Sequence, residues 1–301
     1  MTLRIVPTEF TTVQNAIDVS SAGDSIKILA GIFDGFEVTV GKDNLKIFGC
    51  GIGKTVIAGT PGLGNNGIVL NANQTTLNGF TVQGFSEDGI EVNSNNNVLK
   101  QIKSTLNGND GIEINGDNNV VIDNITTFNR GSGLNIPSGQ HNCILKNESQ
   151  ENFSNGYLLG QSGANNNAII NNLAKENSIS GFAIDISNSD TLLRNISLKN
   201  DFAGIAVALS NDVQVIQNNI CDNLEDGIRM SLSSRLVIDS NIIRKNNEDG
   251  ISIFNTVTNS TIRFNKVKGN SQFDIAAQGG IGTNIYDGNK CENSSPPGLC
   301  T

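Results

Sequence analysis

"SEDGIEVNSNNNVLKQIKSTLNGNDGIEIN", residues 86–115, says nearly the same thing twice. Asp88-Gly89-Ile90-Glu91 returns 22 residues later as Asp110-Gly111-Ile112-Glu113, and each is followed by a polar run rich in Asn. Carried outward, the glycine of this phrase becomes a column: Gly67, Gly89, Gly111, Gly133, Gly156, Gly181, Gly204, Gly227 and Gly250. The steps run from 22 to 25 residues. Four residues before the glycine stands Asn107, Asn129, Asn152, Asn177, Asn200, Asn223 and Asn246, continued by Asn270 before Asp274. A second column, five residues earlier again, holds Asn124, Asn147, Asn172, Asn195, Asn218, Asn241 and Asn265.

The residues one and three after each glycine are apolar, as in Ile90 and Val92, Ile112 and Ile114, Phe182 and Ile184, Ile228 and Met230. That alternation makes a strand with one buried face. Short strands repeated at such a period with no helix between them close only as a coil of stacked turns. Leucine-rich repeats share the period, but their Leu framework is missing here. Equivalent residues should then lie about 4.8 Å apart along the axis, and about ten turns give a rod on the order of 50 Å long. The Asn amides are expected to bond from turn to turn, and the glycines to supply a positive φ or a tight turn.

Composition agrees. The chain has 301 residues, 33 of them Gly, with 5% aromatic and 16% charged residues and no Trp. A net charge of −9 repels phosphate backbones and anionic headgroups, which argues against nucleic acid or membrane partners. No 18-residue apolar run and no charged leader before an apolar core is found, so neither a spanning helix nor a signal peptide is expected in this chain. Cys50, Cys143 and Cys221 read as small core residues, while Cys291 and Cys300 bracket a Pro-rich tail and the sequence leaves their pairing open.

The N-terminal stretch "FTTVQNAIDVSSAGDSIKILAG" reads as an amphipathic helix over Val13 to Val19, then strands, with the helix covering the open edge of the first turn. Followed by "GFTVQGFSEDGIEV" and the Asn-rich repeats, this arrangement resembles the right-handed parallel β-helix family with pectate-lyase-like repeats. The expectation is a single all-β domain over residues 1–301: cap and first turns at 1–60, regular turns at 61–286, closing tail at 287–301. The family holds polysaccharide lyases, hydrolases, epimerases, viral spikes and repeat proteins of no known activity, so the resemblance implies a secreted or cell- or particle-surface location and leaves function open.

If the residues flanking it face inward, the residue two after each glycine faces out. That outward column reads Val69, Glu91, Glu113, Asn135, Leu158, Ala183, Ala206, Arg229 and Ser252. Asp88, Glu91, Asp110 and Glu113 fall on adjacent turns and either bind a cation such as calcium or raise one another's pKa; the plainer alternative is duplication on a solvated strand. Arg229 stands among Glu225, Asp226, Glu248 and Asp249. The family's lyases use a basic residue beside a uronate carboxylate, which makes Arg229, Asp226, Asp249 and Glu113 the catalytic candidates and Glu91, Glu113, Asn135 and Arg229 the substrate contacts; a surface salt bridge is the plainer alternative. His141, the sole histidine, reads as a turn residue. The outward column lacks aromatics for sugar stacking, and Leu158, Ala183 and Ala206 form an apolar strip suited to a second subunit. Two functions follow: a rigid surface protein binding glycan or cation through its acidic face without catalysis, or a lyase or hydrolase acting on an acidic polysaccharide along the outward column.

Overall fold

Because the glycine-led segments present alternate apolar side chains, each pairs in register with its copy one turn away, and the chain winds into a right-handed parallel coil. The computed structural model describes residues 1–59 and 65–301. The expected boundary at residue 61 lies outside the described residues. One face is a 12-stranded parallel sheet of glycine-led strands, from Phe36–Val38 through Ile90–Val92 and Ile228–Ser231 to Ser294–Ser295. The other two faces join in a 22-stranded sheet, because Thr76–Gln83 and Val98–Thr105 each run across the corner between them.

The coil has about 13 turns rather than ten. The difference lies at the N-terminus, where Leu3–Val6, Ser25–Ile28 and Lys46–Phe48 stack on one another and on Thr76–Gln83 ahead of the Asn columns. The core runs the length of the coil, with Ile90, Ile112, Phe182, Ile228 and their counterparts on the other faces fully buried. In mid-coil the Tyr157 and Phe182 rings stack at 4.8 Å, and the Tyr157 hydroxyl donates to the Leu173 carbonyl.

The corners explain the Asn columns. Asp123, Lys146 and Asn171 take left-handed backbone, with φ of 54–55°, immediately before Asn124, Asn147 and Asn172. Each left-handed non-Gly residue costs about 1 kcal/mol. The buried amide after it answers that cost: Asn147 Nδ2 donates to the Val121 carbonyl on one side and to Asn172 Oδ1 on the other, and that Oδ1 also accepts from the Asn147 N–H. A third ladder, absent from the sequence reading, joins Asn97, Asn119, Asn142 and Asn167 and ends on Asp190. After that turn the position is filled by Val213 and Leu236, which pack in the core.

The glycine column turns on space, contrary to the expected positive φ; none of its members has left-handed backbone. An added Cβ at Gly181 would lie 2.8 Å from Asn200 Nδ2 and 2.8 Å from the Gly204 carbonyl, and closer still to the Ser197 hydroxyl. The amide of one turn occupies the place of a side chain on the turn before.

The helix forms over Val13–Asp18, one residue shorter than expected, with Thr12 as N-cap accepting from the Asn15 N–H. Val13, Ala16 and Ile17 close the end of the core. Gln14 covers the edge of Phe36–Val38, its amide accepting from the Glu37 N–H and donating to the Glu37 carbonyl as a further strand would. At the other end Cys291 and Cys300 are joined. Of the three free cysteines only Cys221 is buried; Cys143 is half-buried and Cys50 exposed, because both sit at outward or corner positions, so the expected core role holds for one of them.

Candidate functional site

The outward column is in register over the whole glycine-led face. Glu91, Glu113, Asn135, Leu158, Ala183, Ala206, Arg229 and Ser252 are successive Cα partners. Glu113 and Arg229 are therefore five turns apart, about 24 Å along the axis. They cannot act on one bond, and Glu113 leaves the catalytic set.

At the N-terminal end of this column, Asp88 and Asp110 sit just before the strand and are nearly buried. Their place follows from the repeat: the Asp88 carboxylate accepts from the Asp110 N–H at 2.8 Å and from Asn109 Nδ2 at 2.8 Å, bonding one turn to the next. Asp110 likewise accepts from the Ser132 N–H and, at 2.8 Å, from Asn135 Nδ2. The carboxylate oxygens of Asp88, Asp110 and Glu113 lie within 4.8 Å of one another. Burial first, then the neighbouring carboxylates, push Asp88 up to about 7 and Asp110 up to about 6.

The other amide atom of Asn135, Oδ1, is buried and has no hydrogen-bond partner. Three carboxylates are a hard-donor set, and oxygens 2.3–2.6 Å from one calcium ion can stand up to about 5 Å apart. Glu91 is not part of this group. Its carboxylate turns to the preceding turn and accepts from Asn66 Nδ2 at 2.7 Å. Of the four carboxylates expected to cluster, Asp88, Asp110 and Glu113 come together and Glu91 does not.

Toward the C-terminal end the same backbone positions carry Asp226 and Asp249, and Asp226 again accepts from the N–H one turn on. Here the outward residue is Arg229. Its Nη1 donates to Asp226 Oδ2 at 3.1 Å and lies 3.8 Å from Glu225 Oε2. Its guanidinium sits over the Phe254 ring at 4.7 Å and the Phe202 ring at 5.3 Å. Phe202 and Phe254 flank the outward column, which is why a reading confined to that column found no aromatics; the residues two before Gly204 and four after Gly250 were the available signal.

Asp226 is 1% exposed and committed to Arg229 and to the next turn, so it positions Arg229 and is out of reach of a ligand. Burial raises it to about 6. Asp249 is also nearly buried, and its burial raises its pKa. The accessible carboxylate beside Arg229 is Glu225, raised by desolvation and by Glu248. Between the two charged ends, Leu158, Ala183 and Ala206 form a half-exposed apolar floor. His141 is an exposed turn residue with left-handed backbone.

Parallel turns stacked in this way match a known family. Its pattern, a right handed beta helix region, matches residues 66–220 and 186–295. The chain belongs to the right-handed β-helix family. Among solved structures it is similar to the A-module of mannuronan C-5 epimerase AlgE4 from Azotobacter vinelandii, with 14% identity, 94% of each chain covered and a TM-score of 0.74. Pectate lyase Pel9A matches at 14% identity over 98% of this chain and 78% of that one, with a TM-score of 0.54. The enzymatically active domain of tailspike protein 2 from bacteriophage CBA120 matches at 14% identity over 86% and 39%, with a TM-score of 0.53. At these identities the likeness is one of fold. No curated protein sequence matches. Among the described residues no helix is long and apolar enough to cross a membrane.

Proposed function

We propose that the protein acts on an acidic polysaccharide laid along the glycine-led face, as a calcium-assisted lyase. The observation that carries this is Arg229: a half-exposed cation set between two aromatic rings, at one end of a flat in-register face whose other end gathers three carboxylates. The face suits a linear polymer, with Leu158, Ala183 and Ala206 as a floor for sugar rings. In this reading Arg229 pairs with a uronate carboxylate, Glu225, its pKa raised by desolvation and by Glu248, takes the proton next to it, and the electron pair left behind forms the double bond as the bond to the leaving glycosidic oxygen breaks. Asp226 holds the guanidinium in place. Asp88, Asp110 and Glu113 would hold a calcium ion, which would supply positive charge for a second uronate carboxylate. The named activities of the similar structures, an epimerase on mannuronan and a pectate lyase, support an acidic glycan as substrate. The Cys291–Cys300 disulfide supports an exported protein.

A non-catalytic scaffold is favoured by one observation, that Arg229 already has Asp226 and Glu225 for partners. The test is ultraviolet absorbance of unsaturated uronate products during incubation with pectate, alginate and glycosaminoglycans, with and without calcium. A lyase gives a rise in one of them that Arg229→Ala and Glu225→Gln both abolish. No absorbance change and no new reducing ends on any of them overturns the proposal and leaves a binding scaffold.

A further inference from the structure

The 22-stranded sheet, on a face other than the glycine-led one, carries a groove of about 290 Å³ lined by Ile242, Ile243, Arg244, Lys266, Val267, Lys268 and Lys290. Strand pairing builds it. Ile242 pairs with Lys266 and Arg244 with Lys268, and Lys290 bridges to Lys266 one turn on. Ile243 and Val267 point into the core, while Ile242 is 45% exposed and makes an aliphatic floor. The four cations surround that floor, and no carboxylate lines the groove. Among the described residues none of the four is in an ion pair, although the chain carries 29 acidic residues against 20 basic ones.

A cluster of like charges kept apart from available carboxylates is a local positive field on an acidic protein. Lys266 and Lys268 stand about 7 Å apart along their strand, and the turns repeat at about 4.8 Å, so the cations form a grid several charges long. A single small anion would engage only part of it. The aliphatic floor accepts the C–H face of a sugar ring. No aromatic side chain lines the groove to stack a nucleobase. We infer that this groove is an accessory anchoring site for an acidic polysaccharide, carboxylated or sulfated, separate from the glycine-led face. It rests on the proposed function for the class of polymer and on nothing else in it.

The experiment measures binding of long polygalacturonate and of heparin to the full chain, as a function of salt, for the protein and for the Lys266→Ala/Lys268→Ala/Lys290→Ala variant. The variant's melting temperature with and without calcium reports that it is folded. The expected result is a weakening of roughly tenfold for one of the two polymers, with a shallower dependence on salt. Which polymer responds tells carboxylate from sulfate. Arg229→Ala leaves this contribution intact, because it lies on another face. Equal affinity in protein and variant overturns the inference. So does equally tight binding of polyglutamate or of anionic phospholipid vesicles, which would make the groove a general polyanion or membrane contact. Loss of binding in the variant of a protein that turns over no polysaccharide would sink the proposed function and support the groove.

Discussion

Asp88 with Asp110 and Asp226 with Asp249 are the same pair of backbone positions used twice, with the same bond from each first carboxylate to the N–H of the following turn. What differs is the outward column, where Glu91 and Glu113 stand at the first pair and Arg229 and Ser252 at the second. Glu113 beside the first pair adds a third negative charge; Arg229 beside the second supplies a counter-charge from within the chain. A repeat fixes where side chains stand, and the outward residues placed in its register then decide whether a site must take its cation from solution or already carries one.

Calcium should separate the two most sharply. At a hundredfold excess over its Kd it should stabilise the protein by about 2.7 kcal/mol, read as a rise in melting temperature. Glu113→Gln should remove that rise, whereas Arg229→Gln should leave it; a rise that survives Glu113→Gln would put the ion elsewhere. Next, neutralising the outward residue without added metal should have opposite signs at the two places. Arg229→Gln strips the counter-charge from Asp226 and Glu225 and the ring contacts from Phe202 and Phe254, at a cost of about 2 kcal/mol. Glu113→Gln relieves repulsion on Asp88 and Asp110 and should stabilise by up to about 1 kcal/mol. Denaturant midpoints of the two variants check both, and equal signs would break the comparison.

The last effect is in pH. Asp88 and Asp110 hold their protons more tightly folded than unfolded, at about 7 and about 6. Their contribution to stability is complete below the usual carboxylate pKa and is lost as pH rises through those values. Metal-free melting temperatures should therefore fall between about pH 4 and pH 7. Calcium, which binds the ionised carboxylates, should flatten that fall.

Much of the coil was legible because its causes are periodic. Two Asn columns and one Gly column stood in phase, and the inward Ile and Val followed from them. The third ladder escaped because it spans few turns and changes from Asn167 to Asp190 to Val213. The reason for the glycines escaped because it lies between turns, in an amide of Asn200 lying beside Gly181. At the candidate site, position was legible and orientation was not. Glu91 has the right register for the acidic cluster, yet Asn66 on the previous turn draws it away. Phe202 and Phe254 come to Arg229 from outside the column that was being read.

The packing of the column glycines from Gly89 to Gly250 against the next turn's asparagine has a consequence for how such a chain changes over generations. Altering the glycine alone collides with the amide, and altering the asparagine alone uncovers a buried corner, so neither letter drifts freely. The unit that can be gained or lost at little cost is a whole turn. Near-verbatim neighbours such as 86–93 and 108–115 are what inheritance by complete turns leaves behind.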